Sequence, residues 1–347
     1  MKFFTLCLFC TLLYTTSKAQ NITGKVSDSA GNALGYATIE VVQKNTSTTA
    51  NSQGIFSITL SPGNYTISCQ HIGYQRQEKS IEIVPAVDRR IDFILKRQEL
   101  TLAEVVVKRG EDPAYEIIRN TIKKRPLLKS ELQSFTAEVY TKGQMQLRDF
   151  PNKFLGRKVD FEDGDSSKKK MLFLSETVSK YAVQKGGAYK VEVIASKVSG
   201  RSDGFGLSAP FIISFYENNI NIGSNINPRG FVSPIADNAL NFYRYKYEGA
   251  FFEGGKQISR IQVIAKRKFE PLFSGYINII EDEWRVHSLQ LQLTKSSGME
   301  LVDTLQLEQL YVPGGNGTWV IKNQVIYPAI KMFGFDAYGS FVNVYSN

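Results

Sequence analysis

The sequence predicts a mainly β protein in two parts, a small sandwich and then a curled antiparallel sheet, joined by an amphipathic helix. Three observations predict it. Short runs across residues 22–95 alternate apolar and polar residues at period two. One helix-periodic stretch follows Asp112. From residue 258 to residue 327, strand-length runs succeed one another with turn-forming residues between them.

The N-terminus has the layout of an export signal over residues 1–19. Lys2 supplies the positive charge, residues 3–14 form an apolar run, and Ser17-Lys18-Ala19 offers small residues where a signal peptidase reads. A spanning helix needs about 20 apolar residues, more than this run holds. A lipidation site is not expected, because Cys7 and Cys10 follow the bulky Leu6 and Phe9. Cleavage after Ala19 removes Lys2 and Lys18 from 42 basic residues and none of the 33 acidic ones, leaving a net charge of +7. It also leaves Cys69 as the last of three cysteines, so no intrachain disulfide forms, a usage common in bacterial envelope proteins. Sequons at Asn21, Asn45, Asn64 and Asn316 would matter only in a eukaryotic secretory route.

Residues 20–97 read as the sandwich. Ile22, Gly24 and Val26 share one strand face, as do Ala37, Ile39 and Val41; Phe56, Ile58 and Leu60; Tyr65, Ile67 and Cys69; and Ile91, Phe93 and Leu95. Ala30-Gly31-Asn32, Ser52-Gln53-Gly54 and Ser61-Pro62-Gly63-Asn64 supply the turns. Thr23-Gly24-Lys25-Val26, Ala37-Thr38-Ile39, Pro62-Gly63-Asn64-Tyr65 and Ile72-Gly73-Tyr74 stand in order. This pattern resembles the carboxypeptidase-regulatory-like domain, a transthyretin-like sandwich of seven-stranded type common at the start of Bacteroidetes-type outer-membrane proteins. The resemblance implies no catalysis. A zinc carboxypeptidase needs His-x-x-Glu and a second, distant histidine. Here Tyr74 stands three places after His71 and Gln290 three after His287, and these are the only two histidines. Cys69 shares a face with Tyr65 and Ile67 and reads as a core residue.

Residues 98–129 read as a connector. Leu102-Ala103-Glu104-Val105-Val106-Val107 resembles the segment that follows this domain in starch-utilisation-type TonB-dependent receptors, but at Gly110 the chain turns helical where those receptors begin a plug. Asp112 caps, Pro113 takes the first helical position, and Ile118 and Ile122 lie one turn apart. Lys123, Lys124 and Arg125 lie toward the negative end of the dipole, and Pro126 is expected to stop the helix. The expected role is an amphipathic helix packed on the second domain, with a membrane-surface helix as the alternative. The order of sandwich, Glu-Val-Val-Val and Pro-Ala-Tyr-x-Ile-Ile-Arg resembles a family of unknown function in Bacteroidetes-type envelopes. That resemblance, which covers the whole mature chain, implies a soluble β-rich region preceding a large outer-membrane β-barrel, so this chain is expected to be a fragment.

Residues 130–347 read as a β-rich domain. A strand runs from Gln133 to Met145, a polar stretch occupies residues 148–170, and strands resume at Leu172. A Gly- and Asn-rich interruption is expected over residues 199–230, then a short helix opened by Ser233-Pro234 with Ile235, Ala239 and Phe242 packing. Strands follow over residues 258–265, 275–280, 284–293, 301–311 and 318–327, a meander of hairpins. Curled around a helix, such a sheet resembles the half-open barrel of lipoprotein-localisation carriers.

Catalytic, cofactor-binding and metal-binding residues are each expected to be none. From Asp160, the glycine of a calcium loop would fall one place early, at Gly164. Glu281, Asp282 and Glu283 occupy a hairpin tip and diverge. Gly314-Gly315-Asn316-Gly317 lacks the Lys-Ser/Thr of a phosphate loop, and no Gly-x-Ser-x-Gly elbow occurs. Trp284 and Trp319 are expected to pack on the sheet. The basic residues are spread along the chain, which argues against nucleic acid as a partner and suits anionic lipid or glycan surfaces. The expected function is a non-catalytic outer-membrane-associated protein, exported to the periplasm or outer membrane of a Gram-negative bacterium. It would be the periplasmic binding or assembly portion of a barrel protein, with envelope proteins and lipid as partners. A soluble lipid or lipoprotein carrier and a TonB-dependent receptor-like N-terminal region are the alternatives.

Overall fold

The computed structural model describes residues 19–346 except 45, 85–88, 102–109, 132–133, 162–163, 166, 185–187, 201–209, 224–225 and 315–316. Residues 1–18 of the export segment, the Leu102-Ala103-Glu104-Val105-Val106-Val107 run, Glu162, Asp163, and the sequons at Asn45 and Asn316 thus lie outside the described residues.

The first unit has eight short strands among the described residues: β1 (Gln20–Asp28), β2 (Thr38–Val41), β3 (Thr46–Thr49), β4 (Ile55–Leu60), β5 (Gly63–Gln70), β6 (Gln77–Ile83), β7 (Arg89–Arg90) and β8 (Phe93–Leu95). One sheet pairs β1 with β4, β7 and β8; the other runs β3-β2-β5-β6. Ile22 pairs with Ile58 and Ile39 with Cys69, so the period-two sets face inward together. Ile22, Val26, Ile39, Val41, Ile67 and Phe93 are fully buried between the sheets. Gly24 is demanded by close approach, since a Cβ there would sit 1.9 Å from the Ile91 carbonyl oxygen. Asp28 and Asn51 build the tight turns by accepting backbone N–H groups two and four residues ahead.

α1 (Ala114–Glu131) begins as expected, with the Asp112 carboxylate accepting the Ala114 N–H at 2.9 Å. It does not stop at Pro126, which lies inside the helix. An interior proline loses one backbone hydrogen bond and costs about 3 kcal/mol. Tertiary contacts on both sides offset that loss. Arg125 and Leu128 are buried, Lys129 pairs with Glu217 at 2.7 Å, and Glu131 pairs with Arg285 at 3.1 Å. Arg125 is therefore an interior anchor and not a solvated cation at the helix end. The apolar face packs on the second unit as expected, through Ile117 and Ile118 and through Tyr115 against the Tyr245 ring.

The second unit comprises β9 (Phe135–Asp149), β10 (Lys153–Phe154), β11 (Arg157–Lys158), β12 (Lys170–Val183), β13 (Tyr189–Gly200), β14 (Asn219–Ile220), β15 (Phe231–Val232), α2 (Ala239–Phe242), β16 (Tyr243–Glu253), β17 (Lys256–Ala265), β18 (Ser274–Ile280), β19 (Arg285–Thr294), β20 (Thr304–Pro313), β21 (Trp319–Met332) and β22 (Phe335–Ser346). Ten strands form one antiparallel sheet in the order β13-β12-β9-β22-β21-β20-β19-β18-β17-β16. The predicted meander accounts for β17 to β21 and extends to β16 and β22. The joining of β22 to β9, with Phe341 opposite Gly143, places the first long strand in the middle of the sheet. β13 and β16 remain at opposite edges, so the sheet is open and not a closed barrel. A single core takes side chains from β12 near one edge to β16 at the other, together with α1, so the sheet wraps around the helix.

The described residues from 210 onward, which include the end of the Gly- and Asn-rich region, contribute to the core. Ile213, Phe215, Tyr216, Ile220, Phe231 and Ile235 are buried against the concave face, with the Phe273 ring 5.3 Å from Phe215 and 5.7 Å from Phe231. Ser233-Pro234 does not open a helix. The buried Ser233 hydroxyl donates to the Phe215 carbonyl at 2.7 Å, residues 234–238 form turns, and α2 starts at Ala239.

Candidate functional site

Both faces of the large sheet carry polar contacts to other parts of the chain. On the concave face, Gln309 and Gln324, both fully buried, grip the chain at residues 211–213. Gln324 accepts the Ile213 N–H at 3.0 Å and donates to the Phe211 carbonyl at 2.8 Å, while Gln309 donates to the Ile213 carbonyl at 2.6 Å. Asn343 and Tyr345 add donors to the same Phe211 oxygen. Three strands thus supply, through side chains, the hydrogen bonds that an interior backbone segment needs. Nearby hydroxyls extend the pinning: Tyr245 donates to the Pro234 carbonyl at 2.7 Å, and Tyr216 accepts the Val286 N–H at 3.1 Å. Burial raises the Tyr311 phenol well above its ordinary range.

Arg125 closes this arrangement from the helix side. Its guanidinium donates to the Tyr216 carbonyl at 3.0 Å and pairs with Asp237, which also accepts from Asn218 at 2.9 Å. The Asn218 hydrogen bond, and then the Arg125 one, hold the Asp237 carboxyl below the usual carboxylate range.

On the convex face sits the sandwich. Lys322, 7 % exposed, donates to Glu40 at 2.6 Å, and Asn323 donates to the Thr38 hydroxyl at 2.7 Å. Gln144 donates to the Tyr36 hydroxyl at 2.8 Å, and the Tyr36 ring meets Tyr327 edge-on at 5.3 Å. Desolvation raises the Tyr36 phenol. Val325, Val342 and Val344 supply the apolar part of the contact. Further along, Thr101 and Ala250 exchange backbone hydrogen bonds at 2.8 and 3.0 Å.

Beside this junction lie both histidines. His71, Tyr74, Glu253, His287 and Ser288 line a cavity of about 10 Å³, and an adjoining cleft of about 370 Å³ is bounded by Gln75, Arg76, Glu78, Gln98, Phe252 and Glu253. His287 Nε2 lies 3.5 Å from a Glu253 carboxylate oxygen whose partner oxygen accepts from Gln70 at 2.9 Å. The larger cleft offers amides, a paired Arg76 and Glu78, and the exposed Phe252 ring, groups suited to hydrogen bonding and stacking. Among the described residues no group of three His, Cys, Asp or Glu could hold a metal ion.

The other residues singled out by sequence fall elsewhere. Cys69 is buried in the sandwich, and desolvation pushes its thiol up to about 12. Glu281 bonds Ser259, Glu283 bonds Lys256, and Asp282 stands exposed between them, so the three carboxylates diverge. Asp160 pairs with Lys158, and Asp165 accepts from Ser167. Trp319 packs beside His287, and Gly317 closes a turn on Gly314. Sequence reasoning passed over Gln309, Gln324, Asn343, Lys322 and Asn323. The signal lay in Lys322-Asn323-Gln324, three successive polar residues inside an otherwise apolar strand, whose two faces cannot both be open to water.

Comparison with known proteins follows the two units. Residues 22–107 match the CarboxypepD_reg-like domain, and residues 117–347 match the Family of unknown function (DUF5686). No functionally curated protein matches the chain. Among solved structures it is similar to a LolA superfamily protein from Nitrosomonas europaea (8 % identity, TM-score 0.25, covering 67 % of this chain and 91 % of that one). It is also similar to an outer membrane lipoprotein-sorting protein domain from Vibrio parahaemolyticus (10 %, 0.24, 66 % and 92 %). A membrane-associated protein of unknown function from Bacteroides fragilis is similar over 94 % of this chain and 95 % of that one, at 7 % identity and a TM-score of 0.20. With about two thirds of its length in the second match, the chain belongs to the Family of unknown function (DUF5686), preceded by a CarboxypepD_reg-like domain.

Proposed function

We propose that this chain is a non-catalytic envelope protein, exported and associated with the outer membrane of a Gram-negative bacterium, where it acts by binding and assembly. The observation that carries the reading is the occupation of the concave face by α1 and the described residues between 210 and 240. With its interior filled by its own aromatic rings, the sheet serves as a rigid frame, and the surfaces left for function are external: the sandwich, the cleft at Phe252 and the rims. The export segment and the leading carboxypeptidase-regulatory-like sandwich support the envelope setting. No helix among the described residues is long and apolar enough to cross a membrane, so the association would run through strands, surface contact or a partner. Gradient separation of inner and outer membranes tests the reading. The product is expected in the outer-membrane fraction, and recovery wholly in the soluble fraction, before any carbonate or high-salt wash, sinks it.

A soluble lipid or lipoprotein carrier is the second reading, favoured by the curled sheet around a helix. It requires residues 210–240 to leave the concave face, against the hydrogen bonds from Gln309, Gln324 and Asn343.

A further inference from the structure

One rim of the large sheet combines bulky apolar tips with surplus positive charge. The pairings Asp149–Asp336, Thr304–Ala329, Thr294–Thr304 and Tyr243–Ala265 put the hairpin tips at Leu155 and Phe333 and the loop at Phe269 along that same rim. Leu155 is 86 % exposed, Phe333 72 % and Phe269 81 %. All three have positive φ, at 49°, 52° and 65°. Leu155-Gly156 and Phe333-Gly334 are two-residue hairpin turns with both φ values positive, a geometry that favours Asn or Asp before Gly. Each tip therefore carries two costs, an apolar side chain in water and a left-handed backbone under a bulky residue. Stability alone would select Asn at both places. The tips are adjacent, with the Phe154 ring 6.2 Å from Phe333 and 5.6 Å from Phe335.

Charge indicates what they meet. Three rim carboxylates are engaged by local cations, Asp160 with Lys158, Glu270 with Arg267 and Asp336 with Lys331, whereas the exposed Asp149 and Glu300 have no cation partner among the described residues. Lys153, Arg157 and Lys268 remain exposed and carry no carboxylate partner among the described residues. Lys153 and Arg157 flank Phe154-Leu155 and Lys268 precedes Phe269, while Phe333 shares the Leu155 tip and its own neighbour Lys331 is paired with Asp336. Apolar groups that enter the acyl boundary while flanking cations meet headgroups are the chemistry of an interfacial anchor on anionic lipid. We infer that this rim docks on an anionic lipid surface, with Leu155, Phe333 and Phe269 inserted and Lys153, Arg157 and Lys268 at headgroup level. The inference stands apart from the outer-membrane reading, because it is tested on purified lipid.

Co-sedimentation of the full exported chain with phosphatidylglycerol and with phosphatidylcholine vesicles tests it, comparing wild type with Leu155→Asn/Phe333→Asn and with Lys153→Glu/Arg157→Glu. Asn suits both turns, so the first variant is expected to keep or raise the melting temperature while binding phosphatidylglycerol vesicles about tenfold or more weakly. The charge variant is expected to lose the preference for phosphatidylglycerol, and wild-type binding is expected to fall with added salt. No wild-type binding to phosphatidylglycerol vesicles overturns the inference, as does equal binding by the Asn variant. Equal affinity for both lipids overturns its electrostatic half. A concentration-dependent dimer abolished by the Asn variant, without vesicle binding, would instead make the rim a contact between two copies.

Discussion

Lys322 and Glu40, 282 positions apart in sequence, meet at 2.6 Å and tie the convex face of the sheet to the sandwich. Neither side chain is more than one quarter exposed. Removing one member of such a pair strands the other. Lys322→Met and Glu40→Gln are each expected to cost about 2 kcal/mol in urea unfolding. The double variant is expected to cost less than their sum, with a coupling of about 1 kcal/mol or more. Strict additivity would show that the pair does not hold the two units together.

Arg125 holds the helix to the concave-face segment in two directions. Arg125→Ala leaves the Tyr216 carbonyl without this donor in a buried setting and is expected to cost about 2–4 kcal/mol. Arg125→Lys is not expected to rescue it, because an ammonium lacks the fork that reaches Tyr216 and Asp237 together. Full stability of the lysine variant in thermal unfolding would contradict this role.

The same contact gives a pH dependence. Asp237 has a folded pKa held below its ordinary value, so its contribution is complete above the unfolded pKa of about 3.9. It is lost as pH falls through the lower folded value. Asp237→Asn is expected to flatten the acid limb of stability below about pH 4 while leaving the slope near neutrality unchanged. Identical acid limbs in the variant and the wild type would remove Asp237 from the account.

Much of this was legible in the sequence, and the limits have physical causes. The sandwich could be read strand by strand because one face of most strands is wet, so burial writes itself as period two; β6, with Gln77, Glu78, Lys79 and Ser80 in an edge strand, leaves no such trace. β22 is also invisible to periodicity, since Val342 and Val344 face the sandwich while Asn343 and Tyr345 face the interior. β16 does alternate, with Tyr243, Tyr245 and Tyr247 between Arg244, Lys246 and Glu248, but a helix assigned up to Phe242 hid its start. Residues 210–230 read as an interruption because their turn signals are local, whereas the groups that hold the described part of them, Gln309, Gln324 and Asn343, lie about a hundred residues away. Pro126 misled for the same reason: local chemistry stops a helix there, and Arg125 and Leu128 carry it through.

Gln324 sets the most exacting local test of the filled interior. Gln324→Leu removes the acceptor of the Ile213 N–H and one donor to Phe211, and is expected to cost about 2 kcal/mol. Hydrogen exchange at the Ile213 amide should accelerate in the variant. An amide equally protected in both proteins would show that Gln324 does not hold the segment.

Cys69 is expected to resist thiol reagents in the native exported chain, because burial removes access and desolvation disfavours the thiolate. Labelling at pH 8 should follow global unfolding, appearing with urea at the same midpoint as the loss of tertiary signal. Rapid labelling without denaturant would contradict the sandwich core described above.

Native mass spectrometry of the full chain, purified from the envelope, tests the central claim most directly. The occupied concave face predicts the mass of the processed polypeptide alone and no displacement of a fluorescent fatty acid. One lipid held per chain, displaced by the fatty acid and retained when Leu155 and Phe333 are both changed to Asn, would contradict it and make the protein a carrier.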